Sequence, residues 1–399
     1  MFNARVLDLR SREEIRREMK KIGVTSVGVQ IMLKKSDSRL IKVEGVGTKE
    51  ANIIKQEMLS PGGDAATEKG TLDFSVEESD LILMGTASQY EKLLSKLKMQ
   101  PFKCKQIAAE IEEVLENYEK RDFVLKLPKK EIPLNRTLVM GVLNVTPDSF
   151  SDGGKFFELD AAINHGEEMA KQGADIIDIG GESTRPYSDP VSLDEELKRV
   201  RPVVEELLQR IDVPISIDTM HPEVAKEIVG MGAQMVNDVS GLRNEQMIST
   251  VAELDVPVVI MHMLGKPKTM QEKPEYKDVM GDICRYLRNQ VDAAVRGGIS
   301  REKIIVDPGI GFGKTIEHNL EIIRRLGEMK SLGHPILIGT SRKSFIGKIL
   351  HVDETERMEG SLAAMVSSIL NGANIVRVHD VKESVRSVRI ADRIAPRSM

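Results

Sequence analysis

The sequence predicts an α/β protein, a (β/α)8 barrel of the TIM type preceded by a small α+β domain. Three observations point there. From Thr137 onward, short apolar runs and amphipathic helical stretches alternate without a break. Several of the runs are continuously apolar, as parallel strands covered on both faces are. Polar residues stand at almost every strand end, and in a barrel those ends converge on one mouth. A doubly wound open sheet is the alternative, but it gathers its ligand groups after only some of its strands.

In chain order, Arg5–Leu9 reads as a brief strand. Ser11–Lys21 reads as a helix, with Ser11 as N-cap and Glu14 completing a capping box. Val24–Leu33 and Leu40–Val46 read as strands. Lys49–Leu59 reads as a helix stopped by Ser60-Pro61-Gly62-Gly63. Asp80–Gly85 is a further strand, and Gln89–Lys98 and Lys105–Lys120 are helices. Residues 1–125 thus form a small α+β domain without a cluster of His, Asp or Cys. Residues 126–136, charged and bracketed by Pro128 and Pro133, read as a linker, and residues 137–399 as the barrel.

In the barrel the expected strands are Leu138–Leu143, Ile176–Ile179, Ile215–Ile217, Met235–Asn237, Val258–Met261, Ile304–Val306, Ile336–Ile338 and Ile375–Val378. Helices are expected near 160–172, 194–210, 222–231, 244–254, 276–297, 315–327, 357–371 and 380–394. Eight strand–helix units over this length match a barrel, whose usual size is roughly 250 residues. After the first strand, Asn144 opens a long polar loop through Thr146-Pro147-Asp148-Ser149 to Gly154.

The composition narrows the function. The net charge is -5 and aromatic residues make up 4% with no Trp, so neither bulk charge nor base stacking points to nucleic acid. The 2 cysteines, Cys104 and Cys284, lie far apart and imply no disulfide framework, which fits the cytoplasm. No apolar run is long enough to span a membrane.

The polar strand ends carry recognisable motifs. They are Gly141-Val142-Leu143-Asn144-Val145-Thr146-Pro147-Asp148-Ser149-Phe150-Ser151-Asp152-Gly153-Gly154 and Asp178-Ile179-Gly180-Gly181-Glu182-Ser183-Thr184-Arg185-Pro186. Then follow Asp218-Thr219, Asn237-Asp238, Asp307-Pro308-Gly309-Ile310-Gly311-Phe312-Gly313-Lys314, Ser341-Arg342-Lys343-Ser344 and Arg377-Val378-His379-Asp380. In these segments the chain resembles the dihydropteroate synthase family, in a long form with an additional N-terminal domain. Such enzymes act in folate biosynthesis, are sulfonamide targets, and join 6-hydroxymethyl-7,8-dihydropterin diphosphate to 4-aminobenzoate with release of pyrophosphate.

The resemblance implies Mg2+ as cofactor, small-molecule substrates, a homodimer, and no nucleic-acid or membrane partner. It implies a pterin frame of Asp218, Asn237, Asp307 and Lys343, with Met261 and Phe312 as apolar contacts. A buried carboxylate suits the donor edge of a pterin, and the glycines behind Asp307 let the backbone come close. Arg377 and His379 alternate on the last strand, share a face, and suit a diphosphate. Asn144 resembles the family's protein ligand for Mg2+, which commonly takes few protein oxygens plus substrate phosphates. Asp148, Lys343 and Arg185 are the implied catalytic residues, and Thr184, Arg185 and Ser344 the implied aminobenzoate contacts.

Taken one at a time, these residues have plainer readings. Asp218 reads equally as a helix cap ahead of Pro222, Asn237-Asp238 as a strand-end turn, and Met261 and Phe312 as core. Asp178 and Glu182 read as structural. A pterin-dependent methyltransferase, or a pterin synthase using another arylamine, is the alternative function. The methyltransferase binds no diphosphate and has no use for Arg377-Val378-His379.

Overall fold

The computed structural model describes residues 2–9, 11–145, 155–182, 191–265, 270 and 274–395, with 155–158 as backbone. It divides into two units, Met1–Leu115 and Glu116–Met399.

The first unit holds helices α1 (Arg12–Lys21), α2 (Ser26–Ser36), α3 (Thr48–Leu59) and α4 (Ala87–Leu97), and most of α5 (Cys104–Glu119). Its strands β1 (Ser38–Gly47), β2 (Asp64–Ala66) and β3 (Glu78–Thr86) form an antiparallel sheet in the order β1-β3-β2. Leu81 and Leu83 alternate inward along β3 and pack with Ile54, Met58, Leu93 and Leu97. The capping box at Ser11 and Glu14 is present.

Two expectations fail in this unit. Val24–Leu33 is no strand: the Gly28 amide donates to the Thr25 hydroxyl at 3.2 Å and starts α2, and Val29 and Leu33, one helical turn apart, are its buried face. The β-branched residues Val24, Val27, Val29 and Ile31 favour a strand locally, but capping and helical spacing decide. Arg5–Leu9 has no regular secondary structure, and no described strand pairs with it.

The second unit opens with a surprise. Residues 126–136, expected as a linker, contribute to a hairpin of β4 (Val124–Lys126) and β5 (Glu131–Pro133). Leu125, Leu127 and Leu134 pack against Leu138, Met140, Ile176, Met235, Val259, Ile305, Leu337 and Ile375 inside the barrel. The charged residues and prolines mask three leucines that plug the barrel floor.

Eight parallel strands follow: β6 (Leu138–Asn144), β7 (Ile176–Gly180), β8 (Ile215–Asp218), β9 (Met235–Asp238), β10 (Val258–Met261), β11 (Ile304–Asp307), β12 (Leu337–Ile338) and β13 (Ile375–Val378). Each pairs with its neighbours in order, β13 pairs with β6, and a Val306–Ile336 bridge closes the ring. Around it lie α6 (Lys155–Gln172), α7 (Leu193–Arg210), α8 (Pro222–Met231), α9 (Glu245–Leu254), α10 (Val279–Arg296), α11 (Ile316–Arg325), α12 (Ser344–Leu350), α13 (Met358–Leu370) and α14 (Val381–Ile394). The seven-residue α12 is the one helix here that periodicity does not announce. No helix among the described residues is long and apolar enough to cross a membrane.

Strand parity sets up the site. Val139, Ile177, Ile217, Val236, Ile260, Val306, Ile338 and Val376 face outward into the layer shared with the helices. The alternate residues face inward. Low in the barrel these are the apolar residues that meet the hairpin; at the strand ends the same parity brings Asn144, Asp178, Asp218, Asn237, Met261, Asp307 and Arg377 to the inner face.

Candidate active site

At the centre of the mouth is a network of four side chains. The Arg377 guanidinium donates through Nε to Asp178 Oδ2 at 2.7 Å and through Nη2 to Asp218 Oδ2 at 2.6 Å. Asn237 Nδ2 donates to the same Asp178 oxygen at 2.9 Å. Burial disfavours a charge on Arg377, but Asp178 and Asp218 outweigh it and keep the guanidinium protonated. Burial raises the Asp218 carboxyl, and Arg377 pulls it back. Asp218 is therefore no helix cap; His221 occupies that position before α8. Turn chemistry after β9 belongs to Asp238, which accepts from the Ser240 and Leu242 amides at 2.7 and 2.9 Å, leaving Asn237 to the network.

A second group gathers at the end of β11. Asp307 accepts from the Gly309 amide at 2.7 Å. Gly309 has φ +70, and a β-carbon there would lie 2.0 Å from the His262 carbonyl oxygen, so the turn requires glycine. Burial pushes the Asp307 carboxyl up to about 6, against the pull of the Gly309 amide, Lys343 and Lys314. Lys343 Nζ stands 4.4 Å from the centre of the Phe312 ring. Met261 and Phe312 belong to one apolar cluster with Val239, Met263 and Met270.

At the end of β13, His379 Nδ1 lies 3.0 Å from the Ser341 hydroxyl, whose oxygen also accepts from the His379 amide at 3.2 Å. Burial and the nearby Arg377, Arg342 and Lys343 lower the imidazole pKa to about 3, so the ring is neutral near pH 7. Arg342 is held aside by Asp380 through contacts of 3.2 and 2.6 Å. Asn144 ends β6 half-buried, and among the described residues no hydrogen bond engages its amide. Ser344 begins α12 and is exposed, without a hydrogen bond to the other site residues among those described. Asp148, Thr184 and Arg185 lie outside the described residues.

Three participants are not assigned from the sequence. Asp178 is fully buried and joins Arg377 to Asn237; a lone carboxylate inside Ile176-Ile177-Asp178-Ile179 is the signal for it. Lys314 is buried and reaches His262 Nδ1 and the Phe312 carbonyl oxygen, each at 3.0 Å, with its pKa lowered by burial to about 7. Ser341 orients His379.

Residues 140–379 match the family model described as pterin binding enzyme. The dihydropteroate synthase of Escherichia coli (strain K12) is 48% identical over 261 residues, which covers 65% of this chain and 93% of that protein. The chain belongs to the dihydropteroate synthase family. Solved structures of the Xanthomonas albilineans dihydropteroate synthase with 4-aminobenzoic acid and with 7,8-dihydropteroate superpose with TM-scores of 0.65 and 0.63, at 41% and 40% identity. Each covers 68% of this chain and 98% of the compared one. A probable bifunctional folylpolyglutamate synthase/dihydropteroate synthase of Halobacterium salinarum is 40% identical over 388 residues. That match takes in 96% of this chain but 46% of the relative, so the similarity to this relative reaches into the first unit.

Proposed function

We propose that this chain condenses 6-hydroxymethyl-7,8-dihydropterin diphosphate with 4-aminobenzoate to give 7,8-dihydropteroate and pyrophosphate. The observation that supports it best is the shared inward parity of Asp218, Asn237, Asp307 and Arg377 at one barrel mouth, in a member of this family.

The pterin amide edge and 2-amino group donate to Asp307, and Asn237, fixed by Asp178, pairs with ring nitrogens. Met261 and Phe312 form apolar walls, and Lys343 and Asp218 complete the frame. The diphosphate lies toward Arg377 and His379. Its negative charge raises the imidazole pKa, so that His379 binds as an acid held by Ser341. The amine of 4-aminobenzoate then attacks the exocyclic methylene carbon. A carbon–nitrogen bond forms as the carbon–oxygen bond to diphosphate breaks, and the new ammonium loses a proton to solvent. Asp148 stabilises positive charge developing on the pterin. Arg185, Thr184 and Ser344 contact the aminobenzoate.

Asn144 fits the Mg2+ of such a reaction, since its amide oxygen is a hard donor at the mouth with no competing hydrogen bond among the described residues. When bound, Mg2+ supplies charge neutralisation for the diphosphate. The chain works as a cytoplasmic homodimer, to be tested by light scattering.

Incubation of the chain with pterin diphosphate, 4-aminobenzoate and Mg2+ tests the proposal. Dihydropteroate and pyrophosphate are expected in equal amounts, and absence of both refutes it.

A further inference from the structure

Beside the reaction site, three ligating side chains from three segments converge. Glu182 follows β7, Glu196 lies in the first turn of α7, and His221 precedes α8. One ligand atom from each lies within 4.8 Å of both others. None of the three has a part in the chemistry derived above.

Glu196 makes this cluster more than a coincidence of charge. It is fully buried, and neither of its carboxylate oxygens has a hydrogen-bond partner. The Thr219 hydroxyl, near enough to lower the Glu196 carboxyl, accepts from the His221 amide at 3.1 Å. The neighbouring Arg199 acts on Glu196 only through its charge, since it donates to Glu195 and to the Gly181 carbonyl oxygen, both at 2.9 Å. Its Cγ passes close to Gly181, where an added β-carbon would sit 3.1 Å from it. A buried carboxylate with both oxygens unsatisfied is costly and calls for a cation or a proton. Burial raises the Glu196 carboxyl, and the Thr219 hydroxyl and His221 ring pull it back only in part.

We infer that Glu182, Glu196 and His221 bind a divalent transition-metal ion of the zinc class. One imidazole nitrogen with two carboxylates is a donor set that suits such an ion. Metal–ligand bonds of about 2.1 Å in a tetrahedron set ligand atoms about 3.4 Å apart. His221 Nε2 and Glu196 Oε2 are already 3.8 Å apart. The Val191 amide donates to Glu182 Oε1 at 3.2 Å and orients that carboxylate. The ion ties together the chain leaving β7, the start of α7 and the start of α8, with water as fourth ligand.

The test is equilibrium dialysis of the chelator-stripped full chain against Zn2+ alone, in a background of excess Mg2+ that occupies hard-oxygen sites, followed by thermal melting. One Zn2+ per chain is expected, with a raised melting temperature. Affinity is expected to fall at least tenfold in Glu196→Gln and in His221→Ala, with loss of the melting shift. His221→Ala changes a side chain 35% exposed, so the test survives if Glu196→Gln fails to fold. No Zn2+ on the unmodified chain, or equal binding by His221→Ala, overturns the inference. Stabilisation of metal-free protein by Glu196→Gln without Zn2+ binding to the original identifies Glu196 as a buried carboxylic acid and overturns it equally.

Discussion

Replacing Asp307 by Asn separates binding from stability. Folding moves this carboxyl from its ordinary 3.8 to about 6. Between those values the native state holds more proton than the unfolded chain. The stability contributed by the protonated form is therefore complete below about pH 4 and is lost as pH rises through about 6. At pH 7 the charged carboxylate costs on the order of 3 kcal/mol, at about 1.4 kcal/mol per unit over a rise of roughly 2 units.

Asparagine removes this cost and still accepts from the Gly309 amide, 2.7 Å away in the original. Part of the gain is returned through Lys314, whose ammonium the Asp307 charge helps to hold. A net stabilisation of about 1–3 kcal/mol at pH 7 is expected, fading toward pH 4. Pterin affinity should fall by about tenfold to a hundredfold, because a charged acceptor is lost, worth about 1.5–3 kcal/mol. Denaturant melts at the two pH values and calorimetry with a pterin ligand measure the two effects. Unchanged pterin affinity, or a destabilised protein at pH 7, refutes the reasoning.

Two other substitutions and two truncations test separate parts. His379→Ala should weaken pterin diphosphate binding by about tenfold or more while sparing the bare pterin, since one hydrogen bond to a charged group is removed; equal losses in calorimetry would make His379 a support of the fold. Gly309→Ala, at φ +70 and with its β-carbon 2.0 Å from the His262 oxygen, should cost about 2 kcal/mol or more and displace Asp307; an unchanged melt and unchanged pterin affinity would contradict the close approach. A chain beginning at Glu116 should keep turnover within about tenfold, roughly 1.4 kcal/mol of barrier, while one beginning at Lys129 loses Leu125 and Leu127 from the floor and about 3–6 kcal/mol of burial. A folded but inactive chain from Glu116 would give the first unit a part in the reaction.

The barrel is legible because its strands are short apolar runs that each end in a polar residue, and parity then assigns faces. Asp307 and Arg377 were readable from that rule together with their neighbours. Asp178 was not, because one carboxylate inside an apolar strand does not announce which distant side chains it bridges; Arg377 lies 199 residues away. The floor hairpin hides for the opposite reason: Lys126, Lys129, Lys130 and Glu131 dominate the local composition, while the burial of Leu125, Leu127 and Leu134 depends on a cavity made by strands elsewhere. In α2, capping by Thr25 and a buried pair one turn apart outweigh β-branched residues whose strand preference is a weak local bias. Lys314 follows a glycine-rich turn, where sequence gives no sign that its ammonium folds back to His262.

The central claim is that the mouth binds diphosphate as an intact leaving group while the amine attacks the pterin methylene. It is tested most directly with pterin diphosphate carrying a heavy-oxygen label at the oxygen between the methylene and the first phosphorus. Mass spectrometry after turnover with 4-aminobenzoate should find the label in pyrophosphate and none in any pterin product. Label retained on a hydroxymethylpterin, with no dihydropteroate formed, would mean that the phosphorus–oxygen bond breaks instead and would contradict the account.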